Sequence, residues 1–383
     1  MKGVKNIFLT LKGDRVIWAI MILLAFWSLL VVYSSTVELA YRFKGGKTMF
    51  FLFKQLAFLI AGFLIAYVAY RLPQKFYLRV ALPAYVLSIV LLIITPIAGV
   101  SINSAQRWLN IPMVGSFQPS EFAKIGIIIY LAKVLTAHQE NIKDLQKGFI
   151  RIIVPVLTVC FLIAPTDLSS AVIIFLTALY MMFVGRVRIG HILGMIMGGL
   201  SVFSLLVIIG QQFNNFVRVE TWQSRWSSFL SEEIPYQAQQ AQIAIAHGGL
   251  CGKGPGHSLQ SFYLPSAFSD FAFAIITEEY GFIGGLIVIL LYVALMVRVT
   301  GLASREESRT FESLLMIGPA SLIVLQAMAN IAVNVGLLPV TGLPLPLISL
   351  GGSSILVTSM AFGIILSVSR RIQNLKAAHA AAS

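Results

Sequence analysis

Apolar residues in this chain fall into long blocks joined by short polar segments, and the length of the blocks settles the class of fold. Val16 to Val37, Phe50 to Ala69 and Arg79 to Val100 each hold roughly twenty residues, the length at which a helix crosses a hydrocarbon core. Further blocks at about 118 to 136, 150 to 164, 169 to 185, 189 to 209, 271 to 297, 313 to 337 and 353 to 369 bring the predicted spans to about ten. Between the fifth and sixth, Pro165, Thr166 and Asp167 mark either a tight turn or a broken helix. The pattern predicts an all-α, polytopic integral membrane protein, a single transmembrane domain over 1–383 with a large polar loop at 210–270 between spans seven and eight.

Composition agrees, since 58% of the 383 residues are hydrophobic and 11% charged, against about 25% charged in soluble domains. Lys and Arg fix the orientation: nineteen fall in the N-terminus, the tail and the even-numbered loops, and seven in the odd-numbered loops. Basic residues concentrate on the cytoplasmic side, so both termini are expected there and the long loop outside. The net charge of +13 is spread over six segments without interleaved aromatics, which argues against nucleic acid as a partner. Cys160 lies in a span and Cys251 in an outer loop, so no disulfide or metal spacing is expected. The first apolar run is too long for a cleaved signal peptide and reads as a retained span.

Three outer segments are unusual. Residues 210–270 carry Arg218 and Arg225, an amide-rich run with a predicted short helix at Gln237 to Ala246, a glycine cluster from Gly248 to Gly256, and Asp270 at the mouth of the eighth span. Residues 101–124 and 339–354 are too rich in Gly, Pro and polar groups for continuous helix. Irregular backbone at membrane depth must be buried or line a wet cavity, so the three segments are expected to meet around one cavity.

Asp270 is the first candidate for chemistry. Either Ser269 caps the helix and Asp270 answers its positive end, or Asp270 meets a substrate or metal. The helix end and nearby arginines are expected to hold it ionised. Glu278 and Glu279 follow on the same helix, too far along for a glycosidase-type pair, and suit a polar network inside the bundle. Pro119 and Ser120 start a helix, Glu121 suits its first turn, and Lys124 shares its face. That set is either an ion pair or, with Arg107, positive charge for an anionic headgroup. Arg218, Arg225 and Lys253 add outer-face cations, solvated or substrate-facing. Gly190, Gly194 and Gly198 form a small-residue stripe suited to packing within the chain.

Four ordered blocks, RWLNIPMVGSFQPSEFAKIG at 107–126, APTDLSSA at 164–171, GGLCGKGPGHSLQSFYLPSAFSDFAFAIITEEYG at 248–281 and TGLPLPLISLGGSS at 341–354, resemble the SEDS family of bacterial shape, elongation, division and sporulation proteins. The chain departs from that family's common pattern at Ser261, Ser266 and Phe268. The resemblance implies a peptidoglycan glycosyltransferase that joins lipid II disaccharides outside the cytoplasmic membrane, working with a class B penicillin-binding protein and other divisome or elongasome membrane proteins. It matches Asp270 to the family's essential acid and puts Arg107, Glu121, Lys124 and the Gly-rich loop on one lipid-facing cavity. The SDFAFAIITEEYG version and the short tails lean to the division member, at the septum. A divalent cation, Mg2+ or Mn2+, is a candidate cofactor, with Asp270 its ligand. Rival readings are a lipid II flippase or transporter, which would put ionisable groups at the bilayer midplane, and a non-catalytic scaffold, which has no need of Asp270.

Overall fold

Each apolar block forms a helix in the computed structural model, which describes residues 13–37, 39, 48–102, 105–111, 115–140, 144, 148–212, 219–230, 235–264, 266–304 and 310–382. The helices are α1 (Arg15–Ser35), α2 (Thr48–Arg71), α3 (Gln74–Ala98), α4 (Pro119–Ala137), α5 (Ile150–Ile163), α6 (Leu168–Val184), α7 (Ile189–Gln212), α8 (Val219–Leu230), α9 (Tyr236–Gly248), α10 (Ala272–Ala303), α11 (Phe311–Asn334) and α12 (Gly352–Ala382). Among the described residues, seven helices are long and apolar enough to cross a membrane, with α5 and α6 shorter apolar ones. The remaining predicted span, α4, carries Glu121, Lys124 and Lys133.

Local signals explain several boundaries. Asp14 accepts from the backbone N–H of Val16 at 3.0 Å and so starts α1. Pro119 and Glu121 occupy the first turn of α4, as expected from the fixed φ of proline and the positive helix end. Asp167 accepts from the Ser170 N–H at 3.1 Å and caps α6, so the Pro165–Asp167 interruption is a turn between two helices.

Helix α11 packs against α4, α6, α10 and α12, burying Leu314, Leu315, Met316, Ile317 and Ala320. Helices α2 and α3 instead turn Phe53, Ile60, Leu64 and Ile97 outward. So broad an apolar exterior has no place in water and suits lipid. Gly194 and Gly198 of α7 lie against Phe149 and Leu157, an added Cβ reaching them at 3.7 and 3.4 Å, which is packing within the chain.

Within the expected all-α architecture, two local features were not foreseen. Residues 100–117 form a small antiparallel sheet of β1 (Val100–Ile102), β2 (Ala105–Ile111) and β3 (Gly115–Phe117), in the order β1-β2-β3. In β2, Val100 faces Trp108 while Ser101 faces Gln106, so Arg107 is the unopposed residue of a bulge, a device that redirects a side chain. The second feature is in α10, where Gly281 takes φ +68° and interrupts the helix.

The glycine loop after α9 repairs that interruption. The N–H groups of Lys253 and Gly254 donate to the carbonyls of Glu278 and Glu279 at 3.0 and 2.9 Å, while Phe282 and Ile283 donate to Gly249 and Leu250 at 2.9 and 3.3 Å. Broken backbone is thereby satisfied within the protein, as a lipid setting demands. Such close approach needs glycine, since a Cβ on Gly248 would lie 1.8 Å from the Thr277 carbonyl oxygen and one on Gly252 2.1 Å from that of Glu279. In an open helix, Gly→Ala adds roughly 0.5–1 kcal/mol of stability. For Gly248→Ala the sign reverses, with a loss of about 3 kcal/mol or more, read as a lower Tm in detergent; an unchanged Tm would contradict this docking.

Candidate active site

Asp270 stands two residues before α10, in a turn where its N–H donates to Ser266 O at 3.2 Å. Its carbonyl oxygen is gripped twice, by Asn330 Nδ2 at 2.7 Å and Asn334 Nδ2 at 3.1 Å. Asn330 Nδ2 also reaches Leu343 O at 2.7 Å, and Asn334 Oδ1 accepts from the Ala274 N–H at 3.1 Å. The two amides, one helical turn apart on α11, therefore tie together the Asp270 backbone, the start of α10 and the 339–350 segment. Ser349 adds to the tie, donating to Ser269 O at 2.5 Å and accepting from Leu345 N–H at 2.9 Å.

The helix-capping reading of this acid is not realised. Phe271 is the N-cap of α10 and makes no side-chain cap bond, while Ser269 Oγ turns back to Ser266 O at 3.4 Å. The carboxylate instead faces glycine, since an added Cβ on Gly342 would lie 3.6 Å from its Oδ2. With no side chain there, room is left beside the carboxylate.

Burial pushes the Asp270 carboxyl above its usual range, Ser269, Arg107 and Arg225 pull it down, and Asp167 raises it further. Burial outweighs the cations, so the carboxyl lies above its usual range although arginines stand near it, because a charge taken out of water loses more than neighbouring guanidinium groups return here. Arg107 is near enough to pull the carboxyl down and shares a small space with Ser120 and Thr166, and its Nε is buried with no hydrogen-bond partner among the described residues, a donor open to an acceptor from outside. Arg225 reaches across from α8 and donates to Thr341 O at 3.4 Å. Ser169 Oγ donates to the same carbonyl at 3.1 Å, and Gln118 Nε2 to Asp167 Oδ2 at 3.4 Å. The three unusual segments thus meet with the 165–169 turn around Asp270.

Other expected site residues are committed elsewhere, and Arg218 lies outside the described residues. Lys124 Nζ donates to Glu121 Oε1 at 2.6 Å and Gln326 Oε1 at 3.0 Å, with Lys124 and Glu121 1% and 4% exposed. Lys253, expected among the substrate cations, pairs with Glu278 at 3.2 Å. Glu278 also accepts from Ser258 Oγ at 2.5 Å and the Leu259 and Gln260 N–H groups at 3.2 and 3.3 Å, the bundle-interior network its position suggested. Sequence reasoning passed over Asn330, Asn334 and Gly342. Two asparagines four residues apart within an apolar span were the available signal, as buried polar groups in a membrane helix seldom lack a task.

Among the described residues no three His, Cys, Asp or Glu side chains group to hold a metal alone. The Asp270 carboxylate alone could be the sparse protein share of a Mg2+ site completed by water and substrate phosphates, the guanidinium groups being unable to ligate a cation.

The FtsW/RodA/SpoVE family of cell cycle proteins matches residues 14–374. Stage V sporulation protein E of Bacillus subtilis (strain 168) is 35% identical over 369 residues, covering 93% of this chain and 97% of that one. The probable peptidoglycan glycosyltransferase FtsW of Nitrosococcus halophilus (strain Nc4) is 34% identical over 328 residues, 84% of each. Among solved structures, a chain from a peptidoglycan synthase complex that coordinates polymerization and crosslinking superposes with a TM-score of 0.72 at 25% identity, covering 94% of this chain and 98% of that one. The rod shape determining protein RodA of Thermus thermophilus superposes at 0.67 and 24% identity, over 94% and 98% of the two chains.

Proposed function

The chain belongs to the FtsW/RodA/SpoVE family of cell cycle proteins, and from that premise we propose that it is a peptidoglycan glycosyltransferase, polymerising lipid II into glycan strands at the outer face of the cytoplasmic membrane. The observation that carries the reading is the convergence of one half-buried carboxylate, Asp270, with Arg107 and Arg225 at one end of an apolar helix bundle.

In this reading a sugar hydroxyl attacks the anomeric carbon of a second lipid II, the new C–O bond forming as the bond from that carbon to the pyrophosphate oxygen breaks. Asp270 takes the hydroxyl proton, and a carboxyl raised above its usual range is a stronger base for that task. Undecaprenyl pyrophosphate leaves with the bonding electron pair, and Arg107 and Arg225 answer the negative charge that grows on it. A divalent cation held by Asp270 would supply Lewis-acid neutralisation of the same pyrophosphate.

The buried ionisable pairs favour this over a carrier, because among the described residues Glu121 with Lys124 and Glu278 with Lys253 are neutralised by pairing inside the fold. The excess of Lys and Arg in alternate loops supports cytoplasmic termini and an external Asp270. The likeness to a chain of a synthase complex that coordinates polymerization and crosslinking supports a class B penicillin-binding protein as partner, and the FtsW relatives support work at the division septum.

The test is polymerisation of lipid II by the purified protein, with and without that partner, as a function of pH. Activity requires ionised Asp270, so the rate falls on acidification at a higher pH than an ordinary carboxylate dictates. Arg225→Gln removes a cation that pulls the carboxyl down and moves the acid limb of kcat/KM to still higher pH. An acid limb indifferent to Arg225 would mean that another group titrates, and flipping of labelled lipid II without polymer would favour the carrier.

A further inference from the structure

We propose that the cleft between α8, α9 and residues 336–340 is a carbohydrate-binding site that holds the N-acetylated pyranose strand as it leaves Asp270. The inference rests on the polymerase reading and adds a site for its product. The cleft encloses about 500 Å3, within the range of small-ligand sites. A second cavity, about 230 Å3 between α5, α6 and α7, is lined by Leu157, Val172, Phe175 and Leu200, and its chemistry suits hydrocarbon.

The lining of the larger cleft suits neither hydrocarbon nor an anion. Gln237 and Gln242 offer amides, Ser224 a hydroxyl, and Tyr236 and Phe229 rings that are 52% and 37% exposed. Among the described residues no carboxylate lines it and the one charged lining residue, Arg225, donates to Thr341 O, so the paired cations that a pyrophosphate needs are missing from the described lining. Amides that both donate and accept match sugar hydroxyls and acetamido groups, and exposed rings match the C–H faces of pyranoses. Gln242 is seated against the main chain, its Nε2 lying 2.3 Å from where a Cβ on Gly336 would be.

The location points the same way. Val340 lines the cleft and Gly342 abuts the Asp270 carboxylate, and two residues of extended chain span at most about 7 Å. A strand lengthened at Asp270 therefore has a polar, ring-bearing channel beside it at the distance of the next sugar.

The experiment uses the full-length protein with lipid II, strand length read on gels, and an N-acetylglucosamine tetramer as probe in saturation-transfer NMR. The double variant Tyr236→Ala/Gln237→Ala is expected to make strands about tenfold shorter and to bind the tetramer about tenfold more weakly. Ser224→Trp, which fills the cleft from the exposed face of α8, is expected to shorten strands as well. Strands of wild-type length from either protein, or equal tetramer signals from wild type and double variant, overturn the proposal. Failure of the polymerase reading looks different, for then the wild-type protein makes no strands while tetramer binding can still be measured.

Discussion

Asp270→Asn is expected to keep the fold and to lower lipid II polymerisation by a factor of about 10² to 10⁴, the usual loss when general-base help is removed. The shape of the side chain is retained, and the bonds that seat it run through its backbone carbonyl to Asn330 and Asn334, so the turn has no reason to collapse. Stability is expected to move in the opposite direction from activity. With its carboxyl pushed up by burial, the folded protein holds the Asp270 proton more tightly than the unfolded chain does. The stability it contributes is therefore full at low pH and is lost as pH rises from the ordinary carboxylate range through the raised value. The asparagine escapes that loss, so the Tm of the variant should match wild type in acid and exceed it near neutrality. Normal glycan product from Asp270→Asn would remove the residue from the chemistry, and a Tm lowered at neutral pH would show that its charge serves the fold.

Lys124→Ala is the substitution expected to damage the fold most. Lys124 and Glu121 are both buried and their ion pair is 2.6 Å long, so removing the ammonium strands a carboxylate among Ile125, Leu322 and Ile323. Breaking a buried pair from one side typically costs about 3–5 kcal/mol, whereas replacing both partners by neutral groups of similar size is often close to neutral. The damage would also reach the site, because Gln326 accepts from Lys124 and donates to Pro344 O at 3.0 Å. Glu121→Gln/Lys124→Met should accordingly melt close to wild type while Lys124→Ala does not fold stably in detergent. Equal Tm values for the single and double variants would mean that the pair contributes nothing by being paired.

The spans were legible because a membrane asks for one thing, some twenty apolar residues in a row, and that requirement is written locally. Helix starts were legible for the same reason, since Pro119, Glu121 and Asp167 act on the turn in which they stand. Helix α9, expected at Gln237 to Ala246, runs Tyr236–Gly248 with Ala238, Ala241 and Ala244 buried, a small-residue face visible in the string. The 100–117 sheet was not legible, as strands of three, seven and three residues are too short for alternation to emerge. The break at Gly281 escaped as well. A glycine in an apolar run looks like any other, and the groups that answer this one lie in the loop at 249–254, some thirty residues earlier. Asp270 could be singled out, but the sign of its environment could not. Arginines are visible in a sequence, whereas the desolvation that outweighs them belongs to the folded surroundings.

The interruption of α10 divides it mechanically. Residues 272–280 are bonded to the glycine loop and to an asparagine of α11 and pack on α9, while residues beyond Gly281 continue as an apolar rod. Asp270 therefore rides on the part of the protein tied to the loop, and force applied to the loop reaches the carboxylate without bending the helix beyond Gly281. A protein that docks outside the bilayer has by this route a handle on the reactive acid, and a change in bilayer thickness has much less of one.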